Sequence, residues 1–194
     1  MKTKRIYDPA VEELDSMFPR LDVFDAVGAR AALNEFFEAL AAQGVKRPID
    51  DRIEEIERTI PGPDGAHEVP IRIYMPKDRT AAGPGFVNFH SGGFVLGDLE
   101  IEHPRCLLMA AEGGAVSIGV DYRLAPENPF PAGIEDCYAA LQWVVKHAEE
   151  LKIDPAKITI GGSSAGGNLT AAVALRARDH KGPKVALQML FYPA

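Results

Sequence analysis

The chain has 194 residues, of which 28 are acidic and 21 basic, for a formal net charge of −7. Hydrophobic residues make up 46% and charged residues 25%, a composition of folded globular domains large enough to bury a core without staples. An acidic chain with no basic block excludes nucleic acid as the expected partner, and no apolar run approaches the roughly 20 residues that span a bilayer.

The opening stretch, Met1-Lys-Thr-Lys-Arg-Ile-Tyr-Asp-Pro9, is basic but lacks the apolar segment of a secretory signal, so the expected location is cytoplasmic. Residues 1–48 read as helical, because Leu33, Phe36, Phe37, Leu40 and Ala41 recur at helical spacing until Gly44 and Pro48 end the run. Two strand-like stretches, 53–60 and 67–75, flank Pro61-Gly-Pro-Asp-Gly65 and predict a hairpin. Strands and helices then alternate. Strands are expected at 86–89, 115–120, 157–160 and 185–191, and helices at 102–112, 133–150 and 165–178. That alternation predicts an α/β fold with a mostly parallel sheet, an antiparallel hairpin at its start and flanking helices. The helical opening lies outside it and divides the chain into an appended cap segment, 1–48, and an α/β domain part, 49–194.

Gly162-Ser163-Ser164-Ala165-Gly166 fits G-x-S-x-G with Ser164 at its centre. A strand reading before it and a helix reading after it place the serine on a strand-to-helix turn, where a nucleophile elbow lifts the hydroxyl above the sheet. Flanking glycines remove the side chains that would collide across so tight a turn. The Ala165 N–H belongs to the unpaired first turn of the helix and is free to stabilise an oxyanion. Neither a P-loop Lys-Ser/Thr nor a G-x-G-x-x-G spacing is present here, which sets aside the phosphate-binding readings. Upstream, His90-Ser91-Gly92-Gly93-Phe94 follows the strand at 86–89 directly, and paired glycines let backbone N–H groups approach a substrate closely.

Together with Asp121-Tyr-Arg-Leu-Ala-Pro-Glu-Asn-Pro-Phe-Pro-Ala132 and Leu190-Phe-Tyr-Pro-Ala194, these motifs resemble the hormone-sensitive-lipase-like group of α/β-hydrolase esterases. The resemblance spans residues 50–194 and extends to the helical opening as that family's cap. It implies an α/β-hydrolase fold and a carboxylic ester hydrolase with Ser164 as nucleophile. It also implies Gly92, Gly93 and Ala165 as oxyanion N–H donors and His90 as support of the loop. Small-molecule esters, short-chain acyl esters among them, are the implied substrates, with no cofactor and no metal. Two positions depart from the pattern: Ser91 stands where the family usually has glycine, and Ser163 where it commonly has Asp or Thr. The donor glycines are kept and no catalytic group is lost.

In this fold the triad runs Ser, Asp or Glu, then His along the chain. The resemblance puts both partners after the strand ending near Ala194, so the final strands and helices of the fold are expected in a missing C-terminal segment. His67, His103, His147 and His180 read as solvent-facing or structural. A serine without its base loses about 10⁴-fold or more in rate. Residues 185–191 would also form an open apolar edge, to be completed by that segment or by self-association. Two other readings stay open: a catalytically idle binding protein of the same fold, and a fragment that pairs through its edge strand. Asp121, Arg123 and Glu127 read as a structural charged cluster, and Glu54-Glu55 and Glu149-Glu150 as solvated surface. Cys106 and Cys137 read as core thiols, and Phe18, Phe36 and Phe37 as packing residues near a pocket mouth.

Overall fold

The computed structural model describes residues 8, 18–22, 24–63, 65 and 67–194. By its internal contacts the chain divides into two compact units, Met1–Lys46 and Arg47–Ala194. The readings made on residues 1–7 and 9–17, including the basic opening stretch, lie outside the described residues.

In the first unit, helix α1 spans Ala26–Ala42. It is shorter than the helical run predicted from the sequence, because a turn comes first. The Asp22 carboxylate accepts from the Phe24 N–H at 2.9 Å, and the Asp25 N–H donates to the Asp22 carbonyl at 3.0 Å. Asp25 then caps the helix by accepting from the Gly28 N–H at 2.9 Å, which satisfies one of the orphan donors of the first turn. Gly44, at φ +88°, carries the chain out of the helix. Phe36 packs against Phe18 with ring centroids 5.1 Å apart and against Phe37 at 5.6 Å.

The second unit is a six-stranded sheet among the described residues. Its strands are β1 (Ile53–Pro61), β2 (Glu68–Pro76), β3 (Gly83–Phe89), β4 (Val116–Val120), β5 (Ile153–Ser163) and β6 (Leu187–Phe191), in the spatial order β1-β2-β4-β3-β5-β6. The β1–β2 hairpin is antiparallel and β2 joins β4 antiparallel, while β4, β3, β5 and β6 run parallel. Helix α2 (His103–Ala111) contributes Cys106, Leu107 and Ala110 to a small core with Ile53 and Tyr74. Helices α3 (Ala132–Lys146) and α4 (Ala165–Asp179) complete the larger core. One row of it runs Ile73, Ile118, Val87, Ile160 across the sheet, and the next runs Ile71, Val120, Phe89, Gly162. Glycine at the end of that second row leaves the space into which α4 descends.

Several predicted boundaries shift, and β3 begins at Gly83 rather than at 86. Strand β5 is eleven residues long rather than the expected 157–160, and runs through Pro155. The sheet register shifts at this point, between Gly83 and Gly85 of the neighbouring strand, and a bulge tolerates a residue with no N–H to donate. Helix α3 ends at Lys146, short of 150. There His147 leaves helical geometry, its Nδ1 at 2.8 Å from the Trp143 carbonyl and its ring stacked on Trp143 at 4.3 Å. Strand β6 begins at Leu187, after the Ala186 N–H has donated to the Ile158 carbonyl. It pairs with β5 on one side, and Leu187 and Leu190 are exposed.

Candidate active site

Ser164 sits between β5 and α4 at φ +49° and ψ −118°, a conformation rare for a residue with a side chain. Its neighbours hold it there. The Ser164 N–H donates to the Phe191 carbonyl at 2.9 Å, and its carbonyl accepts from Asn168 at 3.0 Å and from Ala194 at 3.2 Å. The hydroxyl makes no capping bond to the helix it precedes, and the residue is half-buried. A Cβ on Gly166 would run into the Phe89 carbonyl, and one on Gly162 would meet the Gly166 carbonyl at 2.6 Å. Two glycines therefore let the first turn of α4 rest directly on the end of β3.

From that same end of β3 the loop His90–Gly97 departs. Gly92 (φ +125°), Gly93 (φ +62°) and Gly97 (φ +97°) occupy backbone regions that favour glycine, and Phe94 adopts φ +66° beside them. Leu96 N–H closes the turn onto the Gly92 carbonyl at 2.8 Å, and Ala125 N–H ties down the Phe94 carbonyl at 3.0 Å. Among the described residues, none of the N–H groups of Gly92, Gly93 and Ala165 donates a hydrogen bond. Three backbone donors thus stand ready on the two turns that meet at Phe89.

His90 lies beneath the loop, 2% exposed. Its Nδ1 is 2.8 Å from the Ser91 carbonyl, its ring stacks on Tyr122 at 4.1 Å, and the Tyr122 hydroxyl donates to the His90 carbonyl at 2.8 Å. Burial pushes the imidazole pKa down, partly opposed by the Ser91 carbonyl. A cavity of about 350 Å³ opens beside the loop, walled by Phe94, Tyr122, Ala125, Asn128, Asn168 and Leu169 among others. Asn168 is one helical turn from Ser164, which connects the cavity to the elbow.

The other histidines are engaged elsewhere. His67 Nε2 is 2.9 Å from Asp136, and His103 is buried between the Tyr74 hydroxyl at 2.9 Å and the Pro48 carbonyl at 2.7 Å. His180 closes the far end of α4, about 22 Å along a 15-residue helix from Ser164. Of the charged residues Asp121, Arg123 and Glu127, Arg123 clasps Asp136 of α3, its Nε and NH2 each at 2.9 Å, while Asp121 faces His90 and Glu127 is exposed. Asp136, fully buried, is the residue the sequence reading missed. Its partners lie 13 and 69 residues away, so no local pattern announces it. Cys106 and Cys137 are free, buried thiols, with Cys106 pushed up to about 12 by burial. Among the described residues, no group of three or more His, Cys, Asp or Glu is placed to hold a metal ion, and no helix is long and apolar enough to cross a membrane.

Residues 86–194, from the middle of β3 through both turns to β6, match the alpha/beta hydrolase fold family. The chain belongs to that family. Within it, this hydrolase-fold chain is 38% identical over 179 residues to esterase LipI of Mycobacterium tuberculosis, covering 90% of this chain and 55% of that protein. It is 46% identical over 142 residues to carboxylesterase NlhH of the same species, covering 73% and 44% respectively. Among solved structures, a bacterial heroin esterase superimposes with a TM-score of 0.86 at 40% identity, over 96% of this chain and 58% of that one. The hydrolase-fold chain thus spans about half the length of the curated relatives it matches.

Proposed function

We propose that this chain carries the nucleophile and oxyanion half of a serine carboxylic-ester hydrolase of the hormone-sensitive-lipase-like group. The observation that carries the reading is the convergence at Phe89. An uncapped serine hydroxyl in a strained turn and a glycine loop with free N–H groups are brought together by the seating of α4 on the end of β3.

In this mechanism Ser164 Oγ attacks the acyl carbonyl of the ester, and its proton passes to a histidine base. The carbonyl oxygen becomes an oxyanion held by the N–H groups of Gly92, Gly93 and Ala165. Donors fixed before reaction stabilise that charge without reorganising, and each is worth about a hundredfold or more in rate. Collapse releases the alcohol, which takes the proton back, and leaves an acyl group on Ser164. Water activated by the same base then hydrolyses that acyl-enzyme. The cavity beside Phe94 takes the apolar part of the ester. At about 350 Å³ it is near the small end of ligand pockets, which supports a small or short-chain group.

The base and its carboxylate are assigned to chain that follows β6 in a longer polypeptide. Two observations support this: each described histidine is engaged away from Ser164, and the relatives are about twice as long. Intact-mass spectrometry of the purified protein, before and after a fluorophosphonate probe, tests both parts. The expected result is an untreated mass above that of 194 residues and one adduct mapping to Ser164, lost in Ser164→Ala. A folded protein that takes no adduct would overturn the enzymatic reading in favour of an idle binding protein.

A further inference from the structure

The imidazole that supports the loop has one nitrogen explained and one unexplained. Nδ1 faces the Ser91 carbonyl, which can only accept, so Nδ1 carries the proton. In the neutral ring Nε2 is then an acceptor. That Nε2 is buried with no hydrogen-bond partner, and the polar group it faces is Asp121 Oδ1, 3.9 Å away. A carboxylate also only accepts. With both groups deprotonated, lone pairs confront one another, and because His90 is 2% exposed while the Asp121 side chain is 35% exposed, the cost falls on the buried Nε2. A single proton on either atom turns repulsion into attraction, and a rotation of the part-exposed Asp121 side chain that closes the 3.9 Å gap would then make a hydrogen bond.

We propose that Asp121 is a positioning residue of the oxyanion loop, sharing one proton with His90 Nε2 and thereby fixing the imidazole against which Ser91 and Gly97 lie. The surroundings allow that imidazole little freedom. Tyr122 covers its face, and a Cβ on Gly97 would come within 2.6 Å of Nδ1, so any movement of the ring moves the turn. Asp121 is itself anchored at the end of β4, where its N–H donates to the Pro70 carbonyl at 3.0 Å.

The charges around the pair set its proton affinity. Burial and the Asp98 carboxylate push Asp121 up to about 6, and Arg72 from β2 opposes them. Arg72 is itself engaged by Glu57 at 2.7 Å and Glu100 at 2.8 Å, which blunts its pull. Asp98 also acts on His90, favouring its protonated form against burial. The sign follows: Asp121 keeps its proton at low pH and gives it up as pH rises through about 6, so the support it lends the loop weakens in that direction.

The role of Asp121 rests on the esterase reading only for its effect on catalysis, and the test separates the two. The His90 ring nitrogens and the Asp121 carboxyl carbon are followed by NMR between about pH 4 and pH 9 in the intact protein. The expected result is one shared transition near pH 6, with Nδ1 protonated throughout. Asp121→Asn, whose amide can donate to Nε2 at every pH, should abolish that transition. A flat His90 Nε2 signal, or an Asp121 titration in the ordinary carboxylate range independent of His90, would overturn the proposal. Fluorophosphonate labelling of Ser164 supplies the second readout. Asp121→Leu should label about tenfold more slowly, with most of the rate recovered in Asp121→Asn. Equal labelling of Asp121→Leu and the unaltered protein would also overturn it. A shared transition in a protein that never labels would sink the esterase reading and leave the proton-sharing pair standing.

Discussion

The two glycine-rich turns that meet at Phe89 use glycine for opposite reasons. At the elbow, Gly162 and Gly166 are required by space. Neither has a positive φ, but a side chain on either would collide with backbone. The dihedral strain there falls on Ser164, a residue with a side chain, and the packing of α4 holds it in place. In the loop His90–Gly97 the glycines supply dihedral freedom, with Gly92, Gly93 and Gly97 all at positive φ and a buried histidine and tyrosine beneath. The elbow is rigid because it is crowded, whereas the loop is rigid because it is anchored. The nucleophile's geometry therefore depends on packing, and the donors' geometry on a hydrogen-bonded support.

Substitutions can separate these two designs. The largest effect is expected for Gly166→Ala, whose Cβ meets the Phe89 carbonyl, a backbone atom that cannot yield cheaply. Overpacking of this kind should destabilise the protein by about 3 kcal/mol, read as a lowered urea midpoint at unchanged m-value. A neutral result would mean that crowding is not what holds the elbow. Gly92→Ala comes next, since it combines φ +125° with obstruction by the Leu96 carbonyl. Probe labelling of Ser164 should fall by about a hundredfold, as expected for a displaced oxyanion donor. Gly93→Ala is the sharper control. Its φ is +62°, yet no atom lies within 4 Å of the new methyl, so only the dihedral cost of about 1 kcal/mol applies. Labelling should drop less than in Gly92→Ala, and an equal drop would show that the dihedral requirement alone governs the loop, with nothing added by space. The smallest effect is expected for Ser163→Ala. The Ser163 hydroxyl is buried without a partner, so its removal should leave thermal stability unchanged or slightly raised.

How much of this was legible in the sequence depends on how local each feature is. The elbow was, because G-x-S-x-G and the flanking strand and helix lie within a few residues of one another. The loop was legible as an assembly of glycines, and the α/β alternation as a rhythm of apolar runs. Strand β5 was misjudged because Pro155 looks like a terminator, and the register shift that admits it belongs to β3, about 70 residues upstream by chain position. The helical reading of 1–48 ran across the turn that Asp22 and Asp25 impose, because Leu33, Phe36, Phe37, Leu40 and Ala41 mark the helix without marking where it begins. The pairing of His90 with Asp121, and of Arg123 and His67 with Asp136, joins groups from different elements. Neighbouring residues give no hint of such long-range partners.

Asp136 makes distant parts of the chain depend on one another. A carboxylate stripped of water is tolerated only with its partners in place, and these come from two other places: the segment after β4 and the turn of the β1–β2 hairpin. The hairpin turn, the middle of the sheet and a helix on its face are thereby tied through one carboxylate, so loss of either partner should weaken all three together.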